Sequence, residues 1–402
     1  MKIGKRQRLF INAYGLTNAL GHDRESVAAN WQRGTSEGMI STDAFLRGQH
    51  TVVGKVLSPL PRVPRQFKNY NCRNNQLLLH TVEQIRESIE AIRSNFGGDR
   101  TGIVLATCTS GIDNAEAAVQ QYCDTGKRPG EFHFLQQDLG AGAEFLRQYL
   151  DLTGPVSTVS TACTSSGNAF SSAQHLIAAG FCDAVIVGGA DTLCQLTVQG
   201  FSALKAVSSQ QCQPFSKNRD GINIGEASAL FVVSREPAEI ELYSVGCSSD
   251  AHHISAPEPN GTGAKTAIQA ALDQAGLDAQ QIDYINLHGT ATRLNDATES
   301  TFTNQLFTEK TLCSSTKSLT GHTLAAASVT ELALCAIVLD GLTDNRRVPA
   351  QIWDGEYDPS FAPIRIASER DSQPSIRLCM SNSFAFGGSN TSIILGHRQE
   401  SL

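Results

Sequence analysis

Short apolar segments rich in β-branched residues alternate along this chain with segments of helical periodicity. The strand-like segments are residues 8–13, 102–106, 184–187, 229–233, 284–287 and 391–395. Apolar residues recur at helical spacing in residues 75–92, 264–275 and 328–339. Such alternation is typical of proteins whose strands are covered by helices on both faces. The pattern predicts an α/β fold with largely parallel sheets.

The length of 402 residues allows two ordinary domains or one large duplicated unit. With 41% hydrophobic and 18% charged residues, the composition is typical of a compact enzyme with a large core. Residues 235–245 combine a proline with several charges and mark a boundary. We therefore predict an N-terminal half over residues 1–240 and a C-terminal half over residues 241–402.

Charge and cysteine usage exclude several classes of function. The net charge of −7 argues against nucleic-acid binding. No apolar run is long enough to cross a bilayer, and Asn12 interrupts the apolar part of residues 1–16, which make a poor signal peptide. The eleven cysteines include no CxxC pair and no zinc-type Cys/His spacing. We expect a cytoplasmic protein with reduced thiols and no metal.

Cys163 lies in VSTACTSSGNAF, between a β-branched stretch at 156–159 and a helical segment ending at Gly180. Backbone N–H groups at a helix N-terminus favour a thiolate, the reactive form of cysteine. This position predicts a nucleophile. A lone cysteine is more often a small buried hydrophobic residue, so the prediction depends on what accompanies it.

Two histidine segments accompany the cysteine. His288 ends a strand-like run in INLHGTATRLNDATES, with Asp296 eight residues later, and His322 precedes an alanine-rich helix in CSSTKSLTGHTLAAASVTEL. A helix N-terminus lowers the pKa of a nearby imidazole and favours a neutral ring. Two neutral imidazoles beside a thiolate suit an oxyanion or enolate at a thioester carbonyl. A cysteine and one histidine alone also fit a thiol hydrolase.

A glycine-rich segment, SNSFAFGGSNTSIIL, lies near the C-terminus, with Phe384 and Phe386 before Gly387 and Gly388. The glycine pair predicts a turn whose backbone approaches a ligand closely. An aromatic residue on such a turn can gate an apolar tunnel. The alternative is a glycine-rich loop before a buried strand.

Together these four segments resemble the β-ketoacyl-acyl-carrier-protein synthases, condensing enzymes with the thiolase fold. The resemblance runs from RLFINAYGLTNALG to GGSNTSIIL and includes PFSKNRDGINIGEASALFVVS and the spacing of Lys317 and His322. It implies a five-layered αβαβα fold built from two similar halves. It also implies a Claisen condensation in which malonyl-carrier protein loses carbon dioxide and its carbanion attacks an acyl thioester.

The resemblance also implies a role for each matching residue. Cys163 carries the acyl chain, His288 and His322 assist decarboxylation, and Lys317 and Glu331 support the histidines. Cys163 and Phe386 match the oxyanion hole, and Phe386, with Phe384, matches the gate. Thr290 and Thr292 match the residues that contact pantetheine. The residues that match the borders of the acyl pocket are Gly111, Ile112, Ala162 and Phe201. No cofactor is implied beyond the phosphopantetheine of the carrier protein.

Two segments depart from the usual family pattern. The first histidine is followed by HGTATRLND, with Arg293 and Asn295 where proline and glycine are usual, and GEASA stands in place of GEGAG. The HGTATRLND segment resembles the ketosynthases of aryl-polyene pigment clusters. Arg293 is either a contact for the carrier or its phosphate, or a solvated turn residue.

The implied partners are an acyl carrier protein and a second, homologous chain. An acidic carrier must dock on local basic residues, for which the sequence offers Arg65, Lys68, Lys127, Arg128 and Arg293. The second chain makes either a homodimer or a heterodimer with a chain-length factor. The alternative reading is a non-catalytic or half-active subunit of such a heterodimer.

Overall fold

The computed structural model describes residues 8–369 and 375–398, in which the strands form one large and one small sheet. The strands are β1 (Leu9–Thr17), β2 (Met39–Thr42), β3 (Thr51–Gly54), β4 (Thr101–Ala106), β5 (Val156–Val159), β6 (Ala184–Asp191), β7 (Ile224–Gly225), β8 (Ala227–Ser234), β9 (Ile240–Ser249), β10 (Tyr284–Asn286), β11 (Leu312–Ser314), β12 (Arg365–Ile366), β13 (Leu378–Phe384) and β14 (Ser389–His397). Residues 1–7, the start of the segment considered above as a signal peptide, lie outside the described residues.

Helices alternate with these strands. The α-helices are α1 (Arg24–Arg33), α2 (Arg73–Gln84), α3 (Arg86–Phe96), α4 (Ile112–Thr125), α5 (Ala141–Tyr149), α6 (Ser165–Ala178), α7 (Gln195–Ala203), α8 (Thr262–Ala275), α9 (Arg293–Leu306), α10 (Lys317–Thr320) and α11 (Ala327–Leu339). Short 3₁₀ turns are Arg65–Tyr70, Phe134–Gln136, Ala279–Gln281, Leu324–Ala326 and Asp344–Arg346. None of the helices in this part of the chain is long and apolar enough to span a membrane.

The large sheet consists of two parts with the same strand pattern. In the first part β5, β4 and β6 are parallel, and β8 and β1 follow antiparallel. In the second part β11, β10 and β13 are parallel, β14 and β9 follow antiparallel, and β12 adds an edge strand. The parts meet through three residue pairs between β1 and β9. The fold therefore has two similar halves, as the resemblance implied.

Helices α6 and α11 lie between the two parts of the sheet. Each contacts strands of both parts, and all thirteen residues of α11 are buried. A helix that is apolar all round requires such a position, because it has no face for water. Helices α2 and α5 cover the first part from outside, and α8 covers the second. This is the five-layered αβαβα thiolase fold.

All six predicted strand segments are strands, but their predicted orientation is only partly correct. β1, β8, β9 and β14 pair antiparallel, so the sheet is mixed rather than largely parallel. The reason is that a strand buried on both faces loses the alternation by which antiparallel strands are recognised. The predicted helix over residues 75–92 is two helices, α2 and α3, that break at Ile85.

Candidate active site

Three loops bring the predicted nucleophile and both histidines together. Cys163 lies between β5 and α6, after Ala162, whose positive φ of 55° marks a tight turn. His288 follows β10, and the His322 N–H donates to the Asn223 carbonyl at 2.7 Å. Cys163 Sγ lies 2.8 Å from His322 Nε2, and the two imidazole centroids are 5.5 Å apart with nearly perpendicular rings. The three side chains form one reactive cluster.

The cluster opens into a cavity of about 590 Å³. Nine of the predicted site residues line it: Cys163, Phe201, His288, Thr290, Thr292, Arg293, His322, Phe384 and Phe386. Phe386 packs on Phe201 at 5.5 Å between ring centroids, and Phe384 packs on His288 at 5.9 Å. Aromatic side chains therefore border the reactive atoms on the cavity side.

Both imidazoles are neutral. Burial, with a further contribution from the Lys317 charge, lowers the pKa of His288 and of His322 well below the ordinary value. The sequence predicted neutral rings but gave a helix N-terminus as the cause. His322 does not lie at the start of a helix as predicted. A 3₁₀ turn follows it, and α11 begins only at Ala327.

The surroundings of Cys163 oppose the predicted thiolate. Burial is the main cause, and it raises the pKa of Cys163 to about 12. It outweighs the favourable effect of the α6 N-terminus. The 2.8 Å contact with His322 Nε2 offers this proton an acceptor, so reactivity depends on that imidazole.

A buried ion pair lies behind the histidines. The Lys317 ammonium donates to the Glu331 carboxylate and to the His288 carbonyl, and its side chain is 1% exposed. Burial raises the pKa of Glu331 to about 7, although the Lys317 charge opposes this. The pair joins α10, α11 and the His288 backbone, and this geometry fits the predicted supporting role.

Glu299 on α9 is a contributor that the sequence analysis missed. Its two carboxylate oxygens accept from the His288 and Gly289 N–H groups at 2.7 Å, and Asn295 donates at 3.2 Å. Burial raises the pKa of Glu299 to about 8. The sequence did contain a signal for Glu299. Asn295 and Glu299 are four residues apart, so on a helix they lie on the same face and can hydrogen-bond. Glu299 holds the backbone that carries His288.

Asp191, at the end of β6, is a second missed contributor. Its fully buried carboxylate accepts from the backbone and hydroxyl of Thr109, from Thr107 and from Cys108, each at 2.8 Å. Its other oxygen accepts from the Ala325 N–H at 2.6 Å. Asp191 therefore ties the loop after β4 to the turn that follows His322.

The remaining predicted residues differ in their relation to the cavity. The Thr290 and Thr292 hydroxyls are 2.9 Å apart at the cavity wall. Gly111 and Ile112 begin α4 and are not among the residues lining this cavity in the described part of the chain. The predicted docking residues Arg65, Lys68, Lys127, Arg128 and Arg293 are all exposed.

The turn bearing Phe386 is anchored to a neighbouring loop. Gly387 and Gly388 have φ values of 86° and 81°, which side chains rarely adopt. The Gly387 N–H donates to the Ile254 carbonyl, and the Asp250 N–H donates to the Gly388 carbonyl. Phe386 itself remains 38% exposed. The glycine pair thus lets the turn approach residues 250–254 while Phe386 stays at the cavity entrance.

The neutral state of His322 predicts a pH-dependent stability difference. A base whose pKa is lowered by folding is protonated first in the unfolded chain, so acidification favours unfolding. The free energy of unfolding of wild type should fall as the pH is lowered, and that of His322→Asn should fall less. Between about pH 7.5 and about pH 5, the difference between the two proteins should shift by about 2 kcal/mol in favour of His322→Asn. Urea unfolding across this range measures it. The exposed His50→Asn should parallel wild type, and parallel curves for His322→Asn would contradict the prediction.

Comparison with known proteins identifies the family. Residues 63–238 match the N-terminal domain of β-ketoacyl synthases, and residues 238–344 match their C-terminal domain. The chain belongs to the β-ketoacyl synthase family. The synthase contains both family domains in order, and its cluster of Cys163, His288 and His322 lies where the two halves meet.

Relatives align over nearly the whole synthase. Nodulation protein E of Rhizobium meliloti is 31% identical, covering 96% of this chain and 98% of its own. The 3-oxoacyl-[acyl-carrier-protein] synthase 2 of Staphylococcus aureus strain COL is 28% identical, covering 98% and 99%. The protein is therefore an acyltransferase that performs condensation.

Solved structures give the same result. The ketosynthase ApeO of Xenorhabdus doucetiae, in complex with its chain length factor ApeC, matches with a TM-score of 0.92 and 42% identity, over 99% of this chain and 100% of the other. The ishigamide ketosynthase/chain length factor matches with a TM-score of 0.85 and 25% identity, over 98% and 100%. Both of these matches come from ketosynthase and chain-length-factor proteins.

Proposed function

We propose that this synthase elongates an acyl chain held as a thioester on Cys163, using malonyl groups delivered on an acyl carrier protein. The observation that carries the proposal is the cavity in which Cys163 Sγ meets two neutral imidazoles. Neutral N–H donors can stabilise an enolate oxygen without protonating the carbanion, and an apolar wall keeps water from the acyl thioester.

In the first stage, Cys163 takes the acyl group from its carrier. The sulfur attacks the incoming thioester carbonyl as its proton passes to His322 Nε2, 2.8 Å away. The carrier thiol leaves with a proton, and the acyl chain remains on Cys163. We propose that the backbone N–H groups of Cys163 and Phe386 stabilise the oxyanion.

In the second stage, malonyl-carrier protein enters the same cavity. His288 and His322 donate hydrogen bonds to the malonyl thioester oxygen, which for His322 requires the neutral tautomer with its proton on Nε2, so that loss of carbon dioxide leaves a stabilised enolate. Its carbon attacks the Cys163 thioester and a carbon–carbon bond forms. The Cys163 sulfur leaves as a thiolate, which takes up a proton from water to restore the thiol. Lys317, Glu331 and Glu299 position the histidines for both stages.

The carrier arm is the remaining part of the substrate site. We propose that the Thr290 and Thr292 hydroxyls bind pantetheine where they face the cavity, and that no separate cofactor is required. Gly111, Ile112, Ala162 and Phe201 stay the proposed borders of the acyl pocket. The exposed basic residues named above are the proposed docking contacts for the acidic carrier.

The partner and pathway follow from the relatives. ApeO is described in complex with a chain length factor, and the ishigamide protein is a ketosynthase/chain length factor. We propose that this chain is the active subunit of such a heterodimer, in the aryl-polyene branch, with halves dividing near residue 240. The non-catalytic alternative is disfavoured because Cys163, His288 and His322 are all present.

The test is intact-protein mass spectrometry after mixing with acyl carrier proteins of varied chains and then with malonyl-carrier protein. We expect an acyl adduct on Cys163 that disappears as β-ketoacyl product forms. Release of free acid without a carbon–carbon bond would instead indicate a hydrolase. No adduct with or without a chain-length-factor partner would contradict the proposal.

The position of Phe386 predicts an effect on the order of substrate entry. Phe386→Ala should slow acyl transfer to Cys163 roughly tenfold and admit malonyl-carrier protein before the acyl group, since the stack on Phe201 is lost. Single-turnover kinetics and the ratio of decarboxylation to condensation measure this. The exposed Phe181→Ala, away from the cavity, is the control. Wild-type rates and products for Phe386→Ala would argue against a gate.

A further inference from the structure

The reactive cluster also has the composition of a metal site. Ligand atoms of Cys163, His288 and His322 all lie within 4.8 Å of one another, and no other group of three His, Cys, Asp or Glu side chains in residues 8–369 and 375–398 is so arranged. The three side chains are at most 6% exposed, yet all three line the 590 Å³ cavity. A dissolved ion can therefore reach them through the substrate entrance.

We propose that Cys163, His288 and His322 bind one Zn²⁺ ion, and that the bound ion inhibits the synthase. One sulfur and two imidazole nitrogens are a donor set that zinc prefers, with a fourth tetrahedral position left for water from the cavity. Binding converts the Cys163 thiol to a zinc-bound thiolate and releases one proton to solvent. The ion thereby occupies the nucleophile and both hydrogen-bond donors of the reaction at once.

The neighbourhood of the cluster favours a soft or borderline cation over a hard one. The cluster contributes no carboxylate, whereas Mg²⁺ and Ca²⁺ prefer oxygen ligands. The Lys317 charge lies behind the histidines and repels a cation, and its ion pair with Glu331 offsets part of this repulsion. Zinc–ligand bonds of about 2.0–2.3 Å at tetrahedral angles place the ligand atoms about 3.3–3.6 Å apart. Cys163 Sγ and His322 Nε2, at 2.8 Å, must therefore separate, and any ligand atoms that lie nearer the 4.8 Å limit must approach each other.

Metal binding can be measured without any turnover. We expect the full-length protein, titrated with Co²⁺ as a spectroscopic probe, to show tetrahedral d–d bands and a thiolate charge-transfer band at one ion per chain. Competition with a chromophoric chelator then gives the Zn²⁺ affinity. Cys163→Ser should remove the charge-transfer band and weaken Zn²⁺ binding at least tenfold, and His288→Ala should also weaken it tenfold.

Matched variants separate this site from surface binding. Cys123 is exposed, and the rings of His22 and His80 lie 6.5 Å apart, so these are examples of surface groups that could hold an adventitious ion. Cys123→Ser and His80→Ala should leave affinity and spectrum unchanged. If these variants abolish binding while Cys163→Ser retains it, the proposed site is wrong.

A second measurement uses the wild-type protein and does not depend on the folding of variants. Equimolar Zn²⁺ should slow iodoacetamide alkylation of Cys163 at least tenfold, and Mg²⁺ should not. Unchanged alkylation with Zn²⁺ would overturn the proposal. The metal site can be tested independently of the condensation reaction. Metal binding is measured without turnover, and the proposed function is tested on protein from which a chelator has removed any metal.

Discussion

Replacing Cys163 with alanine is expected to abolish condensation while malonyl decarboxylation stays measurable. The acyl thioester cannot form without the sulfur, so the condensation rate should fall by roughly 10⁴-fold or more. His288 and His322 still face the cavity and can stabilise the enolate that decarboxylation produces. Product analysis and carbon dioxide release, followed on the same sample with malonyl-carrier protein, give the two rates.

The control for this variant is a second buried thiol. Cys182 is fully buried and lies outside the cavity, so Cys182→Ala should retain both activities. Loss of decarboxylation together with condensation in a folded Cys163→Ala protein would show that the sulfur acts in both stages. That outcome would contradict the separate roles proposed for the cysteine and the histidines.

Replacing Lys317 with methionine is expected to destabilise the protein by about 3–5 kcal/mol. The substitution keeps a long apolar stem but leaves the Glu331 carboxylate buried without its cation. It also removes the donor to the His288 carbonyl. Urea unfolding gives the free energy of unfolding, and condensation assays on the folded fraction give the effect on activity.

Two further variants identify the cause of this loss. The double variant Lys317→Met with Glu331→Leu removes the unpaired charge, so it should recover most of the stability but not the activity. Lys217 pairs with Glu356 at 2.6 Å on the surface, where both side chains are about half exposed, and Lys217→Met should cost less than about 1 kcal/mol. Equal losses for Lys317→Met and Lys217→Met would show that burial of the pair contributes little.

Much of the architecture could be predicted from sequence because the signals are local. Periodicity located six strands and the helices around them, and glycine or small residues next to Cys163, His288 and His322 marked these positions as ends of elements. Strand direction was predicted less well, because buried strands of either direction have similar apolar sequences. The break at Ile85 was missed because apolar periodicity continues from α2 into α3.

Glu299 and Asp191 show the limit of this reasoning at the site. Each is an ordinary acidic residue in the sequence, and each becomes informative only when its hydrogen bonds are seen. Glu299 accepts from His288 and Gly289 in the preceding loop, and Asp191 accepts from the distant Ala325. The cluster of Cys163, His288 and His322 could likewise not be recognised as a metal site from sequence. Cys163 and the histidines have no metal-type spacing, so their three ligand atoms were brought together only by folding.

The sequence by itself determined the family and the fold class, and it was enough to predict the three reactive side chains, since residue identity and local spacing carry that information. The tertiary structure alone decided the surroundings that shift their pKa values. Burial raises the pKa of Cys163 and lowers the pKa of His288 and of His322. The physical reason is that a pKa depends on desolvation and on nearby charges, and both are set by how distant segments pack around the group.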